Sequence, residues 1–517
     1  MVDLVTLLGA SALVDGDIGD VALRGVSVAS DDAAAGDLFV AVPGLRVHGA
    51  RFAAQAVQRG AVAVLTDRAG RDLVRADLHA DGRAGVPVLV VDDPRAQAGP
   101  VAAWVYGDPA TRLVTVGVTG TNGKTTTSYF VDAALRTAHA TTAVLGTVEL
   151  RIGDEAIESP RTTVEAPVLQ AVCALALERG ASALVTEVSS HALALGRVRG
   201  LLFDVVAFTN LQRDHLDFHG DMPGYFAAKA QLFAPEQARR GVVVVDDEWG
   251  RRLAQEARIP VTTVATHVGD PAAGTADWAV VEAQIGLDGV GSSFVLRGPD
   301  GARHAAASPL PGLVNVSNAA LAVVVAHAAG VPLDAAIAAV GAAHEVPGRM
   351  ERVVERGDGF PLCLVDYAHT PDALVLALEA VRPITPGRLI LVLGSDGDRD
   401  RGKRPIMGQI AARLADVVVV TDENPRSEEP GSIRAAILAG ARAERPDCHD
   451  LVEVTTSRAD ALRHALTLAG DADTVIVTGK GHEPTQEIAG VFHRYNDRDV
   501  FLAVRAERAA APAGGSA

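Results

Sequence analysis

The run Val114-Thr115-Val116-Gly117-Val118-Thr119-Gly120-Thr121-Asn122-Gly123-Lys124-Thr125-Thr126 constrains this chain more than any other stretch. A β-branched apolar segment enters a glycine-rich turn and leaves through TTTSYFVDAAL, a helix former. Glycines let such a turn curl until its N–H groups point inward at phosphate oxygens. Lys124 then reaches the terminal phosphates, and the Thr125 hydroxyl is placed to ligate Mg²⁺. The first glycine of the common phosphate-loop pattern falls on Val118 here. The strand before and the helix after supply the context the motif requires.

The same alternation of strand and helix runs on through TAVLGT, SALVTEVSS, VVAFTN and GVVVVDDE. This is the pattern of a doubly wound parallel sheet. The predicted fold class is α/β with three domains. A smaller N-terminal α/β domain covers 1–108, with DLFVAV and AVAVLT as strands around the helical GARFAAQAVQRG. A central phosphate-loop ATPase domain with a parallel sheet covers 109–345. A C-terminal Rossmann-like α/β domain covers 346–508, and 509–517 reads as a disordered tail. In the third domain LCLVDYAHTPDAL, RLILVLGSDGDRD, DVVVVTDENPR and TVIVTGKGHE repeat one design, an apolar strand that runs straight into a polar loop. Loops at the carboxyl ends of parallel strands gather on one edge of the sheet, where open α/β sheets bind ligands.

A net charge of −17 disfavours nucleic acid or an anionic membrane as the main partner. Three widely spaced cysteines, Cys173, Cys363 and Cys448, form no metal pattern and read as reduced thiols in a cytoplasmic protein. The N-terminus lacks the basic start of a signal peptide, and no apolar run approaches a membrane span.

Lysine usage sharpens the candidate sites. Of 47 basic residues only Lys124, Lys229, Lys403 and Lys480 are lysines. A chain that uses Arg for generic charge keeps Lys where a compact point charge or a reactive amine is needed. Glu187 closes the strand SALVTE, a place where a carboxylate holds the metal of a phosphate-loop domain. Asn210 and the run Arg213-Asp214-His215-Leu216-Asp217-Phe218-His219 follow the next strand. Lys229 lies on the predicted helix MPGYFAAKAQLF. A partly buried amine there, with lowered pKa, can react with CO₂ to give a metal-binding carbamate.

Taken in order, TGTNGKTT, TEVSSHAL, NLQRDHLDFHG, the lysine of YFAAK, LVNVSNAALA, VPGRME and DYAHTPDAL resemble the Mur ligases, ATP-dependent amide-forming enzymes of peptidoglycan synthesis. TTVEA, ENPR and GKGHE resemble the member that adds the third amino acid, meso-diaminopimelate. The resemblance implies substrate roles for the three domains: the UDP end of a UDP-linked muramoyl-dipeptide in the first, ATP in the second, the amino acid in the third. It implies ATP contacts at Gly120, Thr121, Asn122, Gly123, Lys124, Thr125, Thr126, Asn318, Arg349 and Asp366. Uridine falls to Ser30, Leu45, Arg46 and Val47, and the muramoyl-peptide to Arg161, Thr162, Thr163, Ser189 and Arg197. Mg²⁺ falls to Thr125, Glu187, His215 and carbamylated Lys229. The catalytic set is then Lys124, Glu187, His215 and Lys229. The amino acid falls to Arg399, Glu423, Asn424, Pro425, Arg426, Gly479 and Glu483, where a guanidinium suits its distal carboxylate and a carboxylate its distal ammonium. The implied enzyme is a cytoplasmic monomer. The sequence departs from the family at Ala29-Ser30-Asp31, at Leu195, and at Glu423, where the family has Asp. Addition of L-lysine, a folate-glutamate ligase and a nucleotide-state switch remain as alternatives.

Overall fold

Val114–Thr119 in the computed structural model is a strand with parallel neighbours on both sides, Ala183–Glu187 and Phe203–Phe208. Val116 and Val118 are fully buried, as a strand covered on both faces requires. Residues 2–9, 13–19, 21–44, 47–159, 161–286, 291–447 and 449–510 are described. The chain forms two compact units. One comprises Met1–Ala265, Gly274–Trp278 and Leu321–Ala336; the other comprises Thr266–Ala273, Ala279–Ala320 and Ile337–Ala517.

In the first unit six parallel strands run in the order Val261–Ala265, Ala238–Val244, Phe203–Phe208, Val114–Thr119, Ala183–Glu187, Thr142–Leu145. The loops after the strands ending at Thr119, Leu145, Glu187 and Phe208 therefore share one edge. Beyond Thr142–Leu145 the sheet turns antiparallel through the hairpin Glu149–Ile152 and Glu155–Glu158, which the sequence did not signal. The outer strand of that hairpin is exposed along its length, so it carries no apolar alternation to read. The same unit holds a five-stranded sheet in the order Leu13–Asp15, Val88–Val90, Ala63–Thr66, Asp37–Ala41, Gly25–Ser27. Its last four strands are mutually parallel, and the helix Pro94–Val105 closes one side of its core.

The second unit is built on Leu362–Asp366, Thr474–Thr478, Leu389–Leu393, Val417–Val420 and Leu451–Glu453, all parallel, with Glu351–Val354 antiparallel at one edge. Helices Pro371–Val381, Lys403–Leu414 and Pro430–Glu444 supply one apolar layer; Arg458–Leu468 and Asp497–Ala510 supply the other. Arg458 is fully buried and forms a two-pronged pair with Asp497 at 2.8 Å on each oxygen. It also donates to the Thr478 carbonyl at 2.8 Å and the Asp422 carbonyl at 3.3 Å. Burial alone would lower its pKa, but Asp497 more than offsets this and raises it. One charged side chain thus ties together the carboxyl ends of two strands, where the polar loops begin. The last helix runs through Ala509 and Ala510, the first two residues of the expected tail; the remainder lies outside the described residues. Among the described residues no helix is long and apolar enough to cross a membrane. Cys173 and Cys363 are buried free thiols, each pushed up to about 12 by burial. Cys448 lies outside the described residues.

Candidate functional site

The turn after Val114–Thr119 is stitched to the turn after Phe203–Phe208. Asn122 N–H donates to Asn210 Oδ1 at 3.1 Å, and the Thr209 hydroxyl donates to the Asn122 carbonyl at 2.6 Å. Thr121 N–H donates to the Asn210 carbonyl at 2.9 Å. Gly120 has φ +146°, and a Cβ there would lie 1.8 Å from Thr209 Oγ1, so only glycine fits. Gly123 precedes the helix Lys124–Leu135, whose first residues are Lys124, Thr125 and Thr126. The Lys124 ammonium donates to the carbonyls of Gly120 at 3.2 Å and Thr121 at 2.8 Å.

Thr125 Oγ1 donates to Glu187, 3.0 Å from each carboxylate oxygen. Glu187 is buried and also accepts from Thr147 N–H at 2.7 Å and from the Thr147 hydroxyl at 3.1 Å. A hydroxyl and a carboxylate from two adjacent strand ends thus form an oxygen cluster beside the phosphate loop. That is a donor set suited to a hard divalent cation.

Lys229 is 1% exposed on the helix Met222–Ala230, which Asp221 caps. Its Nζ donates to the Gly120 carbonyl at 2.7 Å, the same oxygen that Lys124 contacts, and sits 4.7 Å from the centre of the Tyr225 ring. Burial, then the nearby Lys124 charge, hold its pKa well below the usual lysine range, with Asp214 opposing. His215 has a left-handed φ of 52°, pairs with Asp214 at 3.4 Å, and packs edge-on against His191 with ring centres 4.8 Å apart. Burial pushes its pKa down to about 4; Asp214 opposes this, and His191, Lys124 and Lys229 reinforce it. The structure therefore brings Thr125 and Glu187 into contact, while Lys229 points at Gly120 and His215 at Asp214.

On the same unit Thr163 donates to the Glu187 carbonyl at 2.9 Å and accepts from Ser189 N–H at 3.0 Å. Thr162 accepts from Thr147 at 3.1 Å. Arg161 and Arg197 both reach Glu165, at 3.0 and 2.9 Å. These residues form one patch next to Glu187. Ser30 lies elsewhere, on the turn Ser30–Asp32, donating to Gln55 at 2.9 Å. Val47 is exposed; Leu45 and Arg46 lie outside the described residues.

The second unit gathers another cluster where its parallel strands end. Lys480 is fully buried and donates to Asn424 Oδ1 at 2.9 Å, Glu483 Oε2 at 3.0 Å and the Thr485 carbonyl at 2.6 Å. Asn424 Nδ2 donates to Glu483 Oε2 at 3.0 Å. Arg426 has φ +55°; its guanidinium lies 3.5 Å from Asp396 and 3.8 Å from Glu487. Pro425 sits between Asn424 and Arg426, with its carbonyl accepting from Glu428 N–H at 3.0 Å. The loop is stitched to the one after Leu389–Leu393: Gly397 N–H donates to the Asn424 carbonyl at 2.8 Å, and Ser427 donates twice to Asp398, at 3.0 and 2.7 Å. Arg399, next in that loop, is exposed. Asp366 accepts from the N–H groups of Met350 at 2.8 Å and Ala368 at 2.9 Å. Arg349 lies over the Tyr367 ring at 4.1 Å. Asn318, on the helix Leu313–Ala328, donates to Asn315 at 3.1 Å.

Glu423 is buried against Gly479, whose φ is +110°; a Cβ on that glycine would meet Glu423 Oε2 at 2.3 Å. Burial, then Asp396, raise the Glu423 carboxyl to about 8; Lys403 and Arg458 oppose and Glu483 adds to the rise. The folded chain thus keeps a proton that the unfolded chain, with a carboxyl near 4.5, has lost. Stability from this group falls as pH rises from about 4.5 to about 8 and levels off above. Thermal unfolding of wild type and Glu423→Gln between pH 5 and 8 should show this: the wild-type Tm falls relative to the variant across the window. Parallel curves would contradict the assignment.

Some of these residues were not singled out from sequence. Thr147 carries no motif beyond following a strand. Glu165 sits inside TTVEA, which was the available signal. Lys480 was marked by lysine scarcity but given no role.

Comparison with known proteins adds an independent line. Residues 118–326 match the Mur ligase middle domain, 348–481 the Mur ligase glutamate ligase domain, and 22–104 the Mur ligase family catalytic domain. The UDP-N-acetylmuramoyl-L-alanyl-D-glutamate–2,6-diaminopimelate ligase of Streptomyces coelicolor is 49% identical over 484 residues, 93% of this chain and 92% of the relative. The chain belongs to the Mur ligase family. This Mur ligase is accordingly an ATP-dependent ligase. The UDP-N-acetylmuramyl-tripeptide synthetase of Leifsonia xyli subsp. xyli is 47% identical over 96% of this chain and 94% of its own. A solved UDP-N-acetylmuramoyl-L-alanyl-D-glutamate–2,6-diaminopimelate ligase is 31% identical, covering 94% of this Mur ligase and 95% of that chain, with a TM-score of 0.64.

Proposed function

We propose that this Mur ligase joins an amine of meso-diaminopimelate to the side-chain carboxylate of D-Glu in UDP-N-acetylmuramoyl-L-alanyl-D-glutamate, with ATP converted to ADP and phosphate through an acyl phosphate. The names of its 43–49% identical relatives support the substrate class. The observation that carries the reading is the amphoteric cluster of the second unit, where a guanidinium, Arg426, and a carboxylate, Glu483, flank Asn424 on the loops that follow Val417–Val420 and Thr474–Thr478.

In this reading 1–108 holds the UDP end, 109–345 the ATP and 346–508 the amino acid. Ser30, Leu45, Arg46 and Val47 contact uridine; Arg161, Thr162, Thr163, Ser189 and Arg197 contact the muramoyl-peptide. The loop from Gly120 to Thr126 cradles the phosphates with inward N–H groups. Lys124 leaves the loop carbonyls for the transferring phosphoryl group and offsets its charge. Asn318, Arg349 and Asp366 contact the nucleotide. Thr125 and Glu187 fit Mg²⁺ by their oxygen chemistry, and His215 and Lys229, as its carbamate, complete the set. Bound there, the ion supplies further charge stabilisation to phosphate oxygens. The carbamate arises when the neutral Lys229 amine adds to CO₂ and releases one proton, which turns a buried cation into an anion. Arg399, Glu423, Asn424, Pro425, Arg426, Gly479 and Glu483 receive the amino acid. No side chain need act as covalent nucleophile. The enzyme is read as a cytoplasmic monomer with small-molecule partners alone.

One observation favours L-lysine instead. Asp396 and Glu487 already lie beside the Arg426 guanidinium, an arrangement that suits a substrate without a distal carboxylate. A coupled ADP-release assay separates the two. With meso-diaminopimelate bound, the distal carboxylate displaces those acids, and Arg426→Ala lowers the preference for meso-diaminopimelate over L-lysine by about 100-fold. A variant that retains full preference contradicts the assignment of Arg426, and a wild type that prefers L-lysine overturns the choice of amino acid.

A further inference from the structure

We propose that Lys480 is the positioning residue of the amino-acid pocket: its ammonium locks Asn424 and Glu483 so that one carboxylate oxygen of Glu483 is kept for the substrate's distal ammonium. The inference rests on the amino-acid reading given above and assigns a role to a residue that reading leaves without one.

The argument begins with the bonds. An ammonium has three donors, and Lys480 directs them to three acceptors on two stretches of chain: Asn424 Oδ1 on one loop, and Glu483 Oε2 and the Thr485 carbonyl on its own. The side chain is fully buried, so no water stands in for any of the three. Asn424 is fixed in turn. Its Oδ1 accepts from Lys480 and from Glu487 N–H at 3.2 Å, so its Nδ2 must face Glu483 Oε2, to which it donates at 3.0 Å. Both donors to Glu483 therefore fall on Oε2. Oε1 carries no hydrogen bond among the described residues, and the Glu483 side chain is 32% exposed. A carboxylate held by one oxygen presents the other in a fixed direction.

This also explains the residue type. The chain uses 43 arginines and four lysines, 47 together, yet keeps lysine at this buried point. Three convergent acceptors suit a compact ammonium. A planar guanidinium spreads its donors in a flat fork and does not aim three of them at convergent acceptors.

The experiment compares two amino-acid substrates in the full-length enzyme. Meso-diaminopimelate has the distal ammonium; 2-aminopimelate keeps the distal carboxylate and lacks that ammonium. For Lys480→Met, kcat/KM for meso-diaminopimelate falls about tenfold or more, mainly through KM, while kcat/KM for 2-aminopimelate changes less than about twofold, within the scatter of neutral substitutions. KM for ATP and for the UDP-linked dipeptide stays at wild-type values. Lys480→Arg does not restore the lost discrimination. Equal losses on both amino acids would mean a merely structural role and overturn the proposal, as would an unchanged preference. Where Lys480→Met does not fold, Lys480→Gln, which keeps a polar group in the same space, must give the same substrate-selective loss; an equal loss there overturns the proposal too. A wild-type enzyme that does not prefer meso-diaminopimelate over 2-aminopimelate refutes the amino-acid reading itself, which is a distinct outcome.

Discussion

Lys124→Met should lower kcat by about 1,000-fold or more, with the protein folded and nucleotide binding weakened far less. The cause is geometric as well as electrostatic. The Lys124 amine donates to two loop carbonyls, so it already sits inside the curl that receives phosphate. Phosphoryl transfer spreads negative charge over oxygens at that point, and a charge pre-placed there stabilises the transition state more than the bound ground state. Lys124→Arg keeps the charge but not the point-like shape, and should stay closer to Met than to wild type. Single-turnover measurement of ADP formation, with nucleotide affinity measured separately, checks both statements. A loss confined to KM for ATP would mean that Lys124 only binds.

The second large effect belongs to Lys229. Lys229→Gln should lower turnover by about 100- to 1,000-fold, although the residue stands with its amine on the Gly120 carbonyl and away from Glu187. Two lysines on one carbonyl oxygen is an unfavourable pairing of like charges, and burial adds to it. Such a site favours loss of a proton, and a neutral amine is the form that takes up CO₂. Carbamylation would replace the like-charge contact with an attractive one between Lys124 and an anion. Enzyme kept free of CO₂ at mildly acidic pH should lose activity and regain it on addition of bicarbonate. Carbon-13 bicarbonate should give a carbamate resonance in wild type that is missing in Lys229→Gln. Full activity in the strict absence of CO₂ would refute the carbamate.

The inner strands were legible because each is a short valine-rich run buried on both faces and bounded by a polar loop, as in Val114–Thr119, Val417–Val420 and Thr474–Thr478. The hairpin Glu149–Ile152 with Glu155–Glu158 was not, since its exposed strand has no burial pattern to read. The same divide runs through the sites. Lys124, Thr125 and Glu187 announce themselves by their places at strand and helix ends. Thr147 does not: its value comes from the fold bringing its N–H to a carboxylate forty residues away in sequence. The stitching of Asp398 to Ser427 likewise depends on which strands become neighbours. Lysine scarcity pointed at Lys480, but its three partners could be named only once Asn424, Glu483 and Thr485 were seen around it.

The central claim is that the D-Glu carboxylate is activated as an acyl phosphate before the amine attacks. Oxygen-18 placed in that carboxylate of the UDP-linked dipeptide tests it most directly. One labelled oxygen should appear in the inorganic phosphate released with each amide bond formed; phosphate free of label during full amide formation would contradict the account.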